Sequence, residues 1–140
     1  MSGNRADDHR AEERRLVPLE PGRDFDSPLH GQGVFLTGHS GVALVSGQVG
    51  VRPDGTSGSG LAEQTRIAFE NIARILAEAD LDLPDVASLR IYLTSPDHIE
   101  AFTAVARQCL DGHRPAATLL IVHQLANPAL LVQIEAVAAR

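Results

Sequence analysis

The residue best suited to chemistry in this sequence is Glu135. It stands in Leu130-Leu131-Val132-Gln133-Ile134-Glu135-Ala136-Val137-Ala138, a stretch that otherwise reads as a strand. Strand side chains alternate between faces, so Leu131, Gln133, Glu135 and Val137 share one side and Val132, Ile134, Ala136 and Ala138 the other. A carboxylate among apolar neighbours is costly to bury without a partner. Two readings follow. In one, Glu135 is a general acid or base, or fixes a water, with its pKa raised by burial. In the other it forms an ion pair with Arg90 or Arg114, or faces solvent at a cleft mouth.

A second candidate is Ser46-Gly47-Gln48. Glycine there lets backbone N–H groups approach an anion, or simply shapes a turn. His39, His113 and His123 are scattered, with no His-x-x-x-His and no cysteine pair, so no metal site is expected. Cys109 falls on the apolar stripe of a helix and reads as core rather than nucleophile. The chain has no Gly-x-Ser-x-Gly, no P-loop and no Gly-x-Gly-x-x-Gly. Hydrolase triads, nucleotide hydrolysis and dinucleotide redox chemistry are therefore unsupported.

The elements that must position these groups follow from periodicity. Residues 1–15 are polar and charged, cannot bury enough apolar surface to offset their ordering entropy, and read as a disordered tail. Residues 16–140 read as a single domain. Leu16-Val17-Pro18-Leu19 suits a first edge strand, where proline is tolerated. Pro21 to Gly33 reads as loop. Val34-Phe35-Leu36-Thr37 and Val42-Ala43-Leu44-Val45-Ser46 read as strands with hairpin-like spacing. A stretch from Pro53 to Gly60, with glycines at 55, 58 and 60, reads as a flexible loop.

From Ala62 to Ala79, apolar Ala68, Phe69, Ile72, Ile75, Leu76 and Ala79 recur at helical spacing, with Glu70 and Arg74 paired on the opposite face. Ser88 to Thr94 reads as a strand with Leu89, Ile91 and Leu93 on one side and Arg90 and Tyr92 on the other. Ser95-Pro96 opens a second helix that runs to about Leu110 and stops at Gly112. Its inward residues are Ile99, Phe102, Val105, Ala106, Cys109 and Leu110. Pro115 sets the start of another strand, through Val122, and Asn127-Pro128 turns the chain into the strand of Glu135. The order β-β-β-α-β-α-β-β implies a two-layer α+β domain, one mixed sheet with two helices on one face. The other face, carrying Arg90, Tyr92, Gln133 and Glu135, is left for contact with other copies of the chain.

Composition narrows the partners. With 140 residues and 44% apolar side chains the chain can bury one core, built from aliphatics because aromatics are 4%. A net charge of −6 argues against nucleic acid. The single cysteine excludes an intrachain disulfide and fits the cytoplasm. No run approaches the roughly 20 apolar residues that span a bilayer, and no signal peptide is visible.

Four segments carry a resemblance: Val42 to Val49 with Ser46-Gly47-Gln48, Phe69-Glu70-Asn71-Ile72, Leu89 to Thr94, and His113-Arg114-Pro115-Ala116 through Ile134-Glu135-Ala136-Val137-Ala138. Over about residues 33–140 the chain resembles the Rid family of reactive-intermediate deaminases, the YjgF type. That resemblance implies a chorismate-mutase-like fold, a homotrimer with a central barrel and inter-subunit clefts, and hydrolysis of small imines and enamines without metal or cofactor. It implies that Glu135 positions water and that Ser46, Gly47, Thr118 and the Leu119 backbone line the substrate site. Tyr92 joins them as a lining candidate, and Phe35 is nearest to the family's early tyrosine. The family's carboxylate-gripping arginine falls at Ala117, as in a divergent subgroup. Two functions remain: an enzyme acting on an imine, enamine or related carbonyl-derived compound, and a non-catalytic trimeric module for a small ligand or partner protein.

Overall fold

β-Branched and leucine runs build the sheet, and two amphipathic segments cover one side of it. A computed structural model of the chain describes residues 15–21 and 29–140. The expected tail up to residue 14, and residues 22–28 of the expected loop, lie outside the described residues. In chain order the elements are β1 (Arg15–Leu19), β2 (Gly33–Thr37), β3 (Val42–Val49), α1 (Gly60–Ala77), β4 (Val86–Leu93), α2 (Ile99–Leu110), β5 (Ala116–Ile121) and β6 (Val132–Ala139). Short 3-10 turns at Leu83–Asp85 and Pro96–His98 precede β4 and α2. The α+β order expected from periodicity is the order found.

The sheet differs from the expectation in one respect. A mixed four-stranded sheet runs β3-β6-β4-β5, and β1 pairs with β2 as a separate two-stranded sheet. β2 and β3 do not form the expected hairpin. Gly38 adopts a φ of 67° and redirects the chain, and the next residues bind the C-terminus instead. Ser40 and Gly41 N–H donate to the Arg140 carbonyl, and Arg140 N–H donates to Gly41. β3 then pairs antiparallel with β6. β4 runs antiparallel to β6 and parallel to β5.

The core lies between this sheet and the helices. Phe69, Ile72 and Leu76 of α1 and Phe102, Ala106 and Leu110 of α2 meet Leu89, Ile91, Leu93, Val132, Ile134 and Ala136 of the central strands. The rings of Phe69 and Phe102 pack with centroids 6.5 Å apart. Ile99, expected inward, is exposed, because α2 begins there after the 3-10 turn and its first residue clears the core. Cys109 is half-buried beside the core, and desolvation pushes its thiol pKa up.

The loop before α1 is laced rather than loose. Gly58 N–H donates to Gly50, Arg52 N–H to Thr56, and the Arg52 guanidinium pairs with Glu63. Buried Asn71 donates to the carbonyls of Val49 at 3.1 Å and Val51 at 2.9 Å. Buried Gln64 donates to Gly58 and accepts the N–H of Leu131 at 2.8 Å. These two amides tie the end of β3 and the approach to β6 to one helix, satisfying backbone groups that the strands leave open.

Candidate active site on the open sheet face

Alternation along four strands puts one row of polar groups across the face that the helices leave bare. Arg90 of β4 is in register with Thr118 of β5 on one side and with Glu135 of β6 on the other. β3 completes the row with an irregularity. Val45 pairs with Ala136 and Gln48 with Ile134, so Ser46 and Gly47 together oppose Glu135. This is a two-against-one bulge, which re-aims side chains and leaves backbone groups unpaired. Ser46-Gly47-Gln48 is therefore not the turn expected from its composition, because the strand continues through it to Val49.

Glycine at this bulge leaves room for a neighbouring side chain. A β-carbon on Gly47 would sit 2.7 Å from Cδ of Gln133, whose side chain crosses it. The Gln48 side chain closes the bulge locally, donating from Nε2 to the Ser46 carbonyl at 3.0 Å.

Glu135 is half-buried, and its partners come from β4 rather than from its own strand. The Tyr92 hydroxyl donates to Oε1 at 2.7 Å. The Arg90 guanidinium approaches the same oxygen at 3.9 Å, too far for a hydrogen bond. Side-chain exposures of 72% for Arg90 and 36% for Glu135 make this a solvated pair, worth about 0–1 kcal/mol. Oε2 accepts no hydrogen bond among the described residues and is open to a water. The expectation that Glu135 sits among apolar neighbours holds only along β6; its sheet neighbours are polar. Of the two arginines considered for it, Arg90 is the one in place. Arg114 donates to the His30 carbonyl at 3.1 Å instead.

Accepting that hydrogen bond, Glu135 holds the Tyr92 proton and raises the phenol pKa; desolvation adds to the effect and the Arg90 charge opposes it. Two shallow depressions flank the row. One, of about 290 Å³, is bounded by Leu44, Ser88, Arg90, Glu135 and Val137. The other, of about 240 Å³, is bounded by Arg90, Tyr92, Thr118 and Leu120. Leu44 is 79% exposed at the rim, and Val42 and Leu120 are exposed beside it.

The remaining candidates are placed elsewhere. Ala117 and Leu119 pair with Leu89 and Ile91 and pack against the core, so their side chains point to the helix side of β5, away from Glu135. Phe35 is exposed on β2, in the separate two-stranded sheet. The structural amides Gln64 and Asn71 escaped the sequence reading; a polar residue on the apolar stripe of α1 was the available signal.

A larger concavity, about 770 Å³, lies at another end of the fold between β1 and the α2–β5 turn. Most of its polar groups already hold the chain together. Glu20 accepts the Gln32 N–H, Asp85 accepts the Asp82 N–H, and the His113 ring contacts the Val86 carbonyl. Among the described residues there is no cluster of three metal-ligating side chains and no helix long and apolar enough to cross a membrane.

Comparison with known proteins places this geometry in context. Residues 33–140 match the family model described as Endoribonuclease L-PSP. The mitochondrial protein mmf2 of Schizosaccharomyces pombe is 30% identical over 101 residues, covering 71% of this chain and 80% of that protein. The RutC family protein YjgH of Escherichia coli is 39% identical over 57 residues, 41% of this chain and 44% of that protein. Among solved structures, the Rid family protein YyfB of Yersinia pestis superposes with a TM-score of 0.79 at 28% identity, covering 91% of this chain and 98% of the other. TdcF of E. coli, solved with bound serine, gives 0.68 at 25% identity over 90% of this chain and 98% of its own.

Proposed function

This chain belongs to the Endoribonuclease L-PSP family, which includes Rid and YjgF-type proteins, and we propose that it is a Rid-type enzyme that hydrolyses a small imine, enamine or related carbonyl-derived compound. The observation that carries this reading is the polar row Thr118–Arg90–Glu135–Ser46/Gly47 on a face otherwise rimmed by Leu44, Val42 and Leu120.

In the proposed step, Tyr92 occupies Oε1 of Glu135 and leaves Oε2 to hold a water. The imine reacts as its N-protonated form, which an enamine reaches by taking a proton at carbon. As the water oxygen attacks the C=N carbon, Oε2 takes one water proton and a carbinolamine forms. Oε2 then returns that proton to the nitrogen, the C–N bond breaks as the C=O bond forms, and the hydroxyl proton passes back to Oε2 and on to solvent. Products are a carbonyl compound and ammonia, and no metal or cofactor is required. Ser46, Gly47, Thr118 and the backbone of Leu119 line the substrate. TdcF, solved with serine, supports a ligand of this size.

Two features shape the reading. The depressions are shallow in one chain, so a homotrimer that buries Leu44, Val42 and Leu120 closes them into inter-subunit clefts. The net charge of −6, with Arg90 the one cation facing out of the four strands, disfavours RNA as substrate. The lone cysteine supports the cytoplasm, although relatives in yeasts are mitochondrial by name.

A second reading has one observation in its favour. Ala117 puts a methyl group where the family resemblance calls for arginine, which removes a charge-assisted contact of about 1.5–3 kcal/mol. This favours a non-catalytic trimeric module. The two are separated by mixing the protein with freshly generated 2-aminoacrylate, 2-iminobutyrate and a carboxylate-free imine, and following carbonyl product and ammonia against buffer. Release above buffer from any of them supports the enzyme; none from all three supports the module.

A further inference from the structure

We infer that Arg90 is the anion anchor of this site, gripping a carboxylate on the ligand from the middle of the sheet. The inference rests on the reading of the open face as the substrate site, and it names the ligand feature that the face selects.

The geometry leaves the guanidinium available. Arg90 makes no hydrogen bond among the described residues, and its distance of 3.9 Å from Glu135 leaves its five N–H donors without a protein acceptor. The side chain is 72% exposed yet borders both depressions, one toward Glu135 and one toward Thr118. A planar carboxylate matches the planar fork of a guanidinium bidentately, whereas a lysine there would offer only a point charge.

Glu135 does not neutralise this position for a ligand. Its Oε1 is taken by Tyr92, and the pair with Arg90 is too long to fix the guanidinium. A carboxylate on Arg90 would lie beside the water held at Oε2, so the atom next to that carboxylate becomes the atom the water reaches. Leu44 and Val137 bound the depression on one side of Arg90, and Leu120 bounds the one on the other. Ala117 could not replace it without rearrangement, because its side chain points to the opposite side of β5.

The test reads binding, not turnover. 2-Oxobutyrate, an unreactive keto acid, and its uncharged amide are titrated into the full-length protein, its Arg90→Ala and Arg90→Lys variants and Glu135→Gln, by calorimetry or NMR. The expected result is tighter binding of the acid than the amide by wild type, lost on the order of tenfold in Arg90→Ala. The amide should be unaffected by that substitution. Arg90→Lys should recover part of the loss, and Glu135→Gln should bind the acid at least as tightly as wild type. Equal binding of the acid by wild type and Arg90→Ala overturns the proposal, as does equal weakening of acid and amide. Wild type that hydrolyses a carboxylate-free imine but does not bind the acid overturns the anchor and leaves the enzyme reading standing. Binding as expected with no imine hydrolysis does the reverse.

Discussion

The hydroxyl of Tyr92 donates to Oε1 of Glu135 across 2.7 Å, from a diagonal position on the neighbouring strand. Arg90 is directly opposite Glu135 and Gln133 directly opposite Tyr92, so the hydrogen bond crosses the ladder at an angle. One oxygen of the carboxylate is fixed, and the other accepts no hydrogen bond among the described residues.

The phenol reports on this contact without interference. Tyr92 is the only tyrosine and there is no tryptophan. Its hydrogen bond to Glu135 raises the phenol pKa above the ordinary 10.0. The stability linked to Tyr92 is therefore complete below pH 10.0 and is lost as the pH rises through the higher folded value. Tyrosinate absorbance during alkaline titration should show a raised midpoint in wild type that returns toward the ordinary value in Glu135→Ala, which removes the acceptor. An unchanged midpoint in that variant would remove the contact from the site.

The exposed rim predicts assembly. Leu44, 79% exposed on the open face, should be covered in the proposed homotrimer. Leu44→Asp would desolvate a charge there and should shift the mass seen by light scattering from three chains toward one. A monomeric wild type would contradict the cleft between subunits.

Backbone anchoring by α1 predicts stability losses far from the chemistry. Asn71→Ala leaves the carbonyls of Val49 and Val51 without their donor and should cost about 1–3 kcal/mol in denaturant unfolding. Loss of less than a few tenths would mean that water replaces the amide.

Two glycines should respond differently. A β-carbon on Gly50 would stand 2.5 Å from Cα of Gln64, a helix backbone atom that cannot yield. One on Gly47 meets only the side chain of Gln133, which can rotate. Gly50→Ala should destabilise by about 1–3 kcal/mol and Gly47→Ala by less. The opposite ranking by thermal unfolding would contradict the packing of β3 against α1.

Periodicity made most of the fold legible. The two faces of β6 and β4 and the stripe of α1 follow directly from residue spacing, and Glu135, Arg90, Tyr92 and Gln133 share the open face as alternation requires. Pairing was less legible. Val34–Thr37 and Val42–Ser46 look like a hairpin by spacing, but β3 finds its partner in β6, about ninety residues away in sequence. Local sequence could not weigh that partner against β2. The bulge at Ser46-Gly47 was hidden for the same reason: a glycine inside a strand resembles a turn until the opposing strand is in place. Glu135 looked isolated because its hydrogen-bond donor lies 43 residues earlier in the chain.

The most direct measurement compares wild type with Glu135→Gln in the hydrolysis of the imine that wild type turns over best. Glutamine keeps the shape and can still accept from Tyr92, but it cannot take a proton from water. Carbonyl product release should fall by about 10²–10⁴-fold, with mass and unfolding midpoint unchanged. Equal rates for the two proteins would contradict the assignment of Glu135 as the working base.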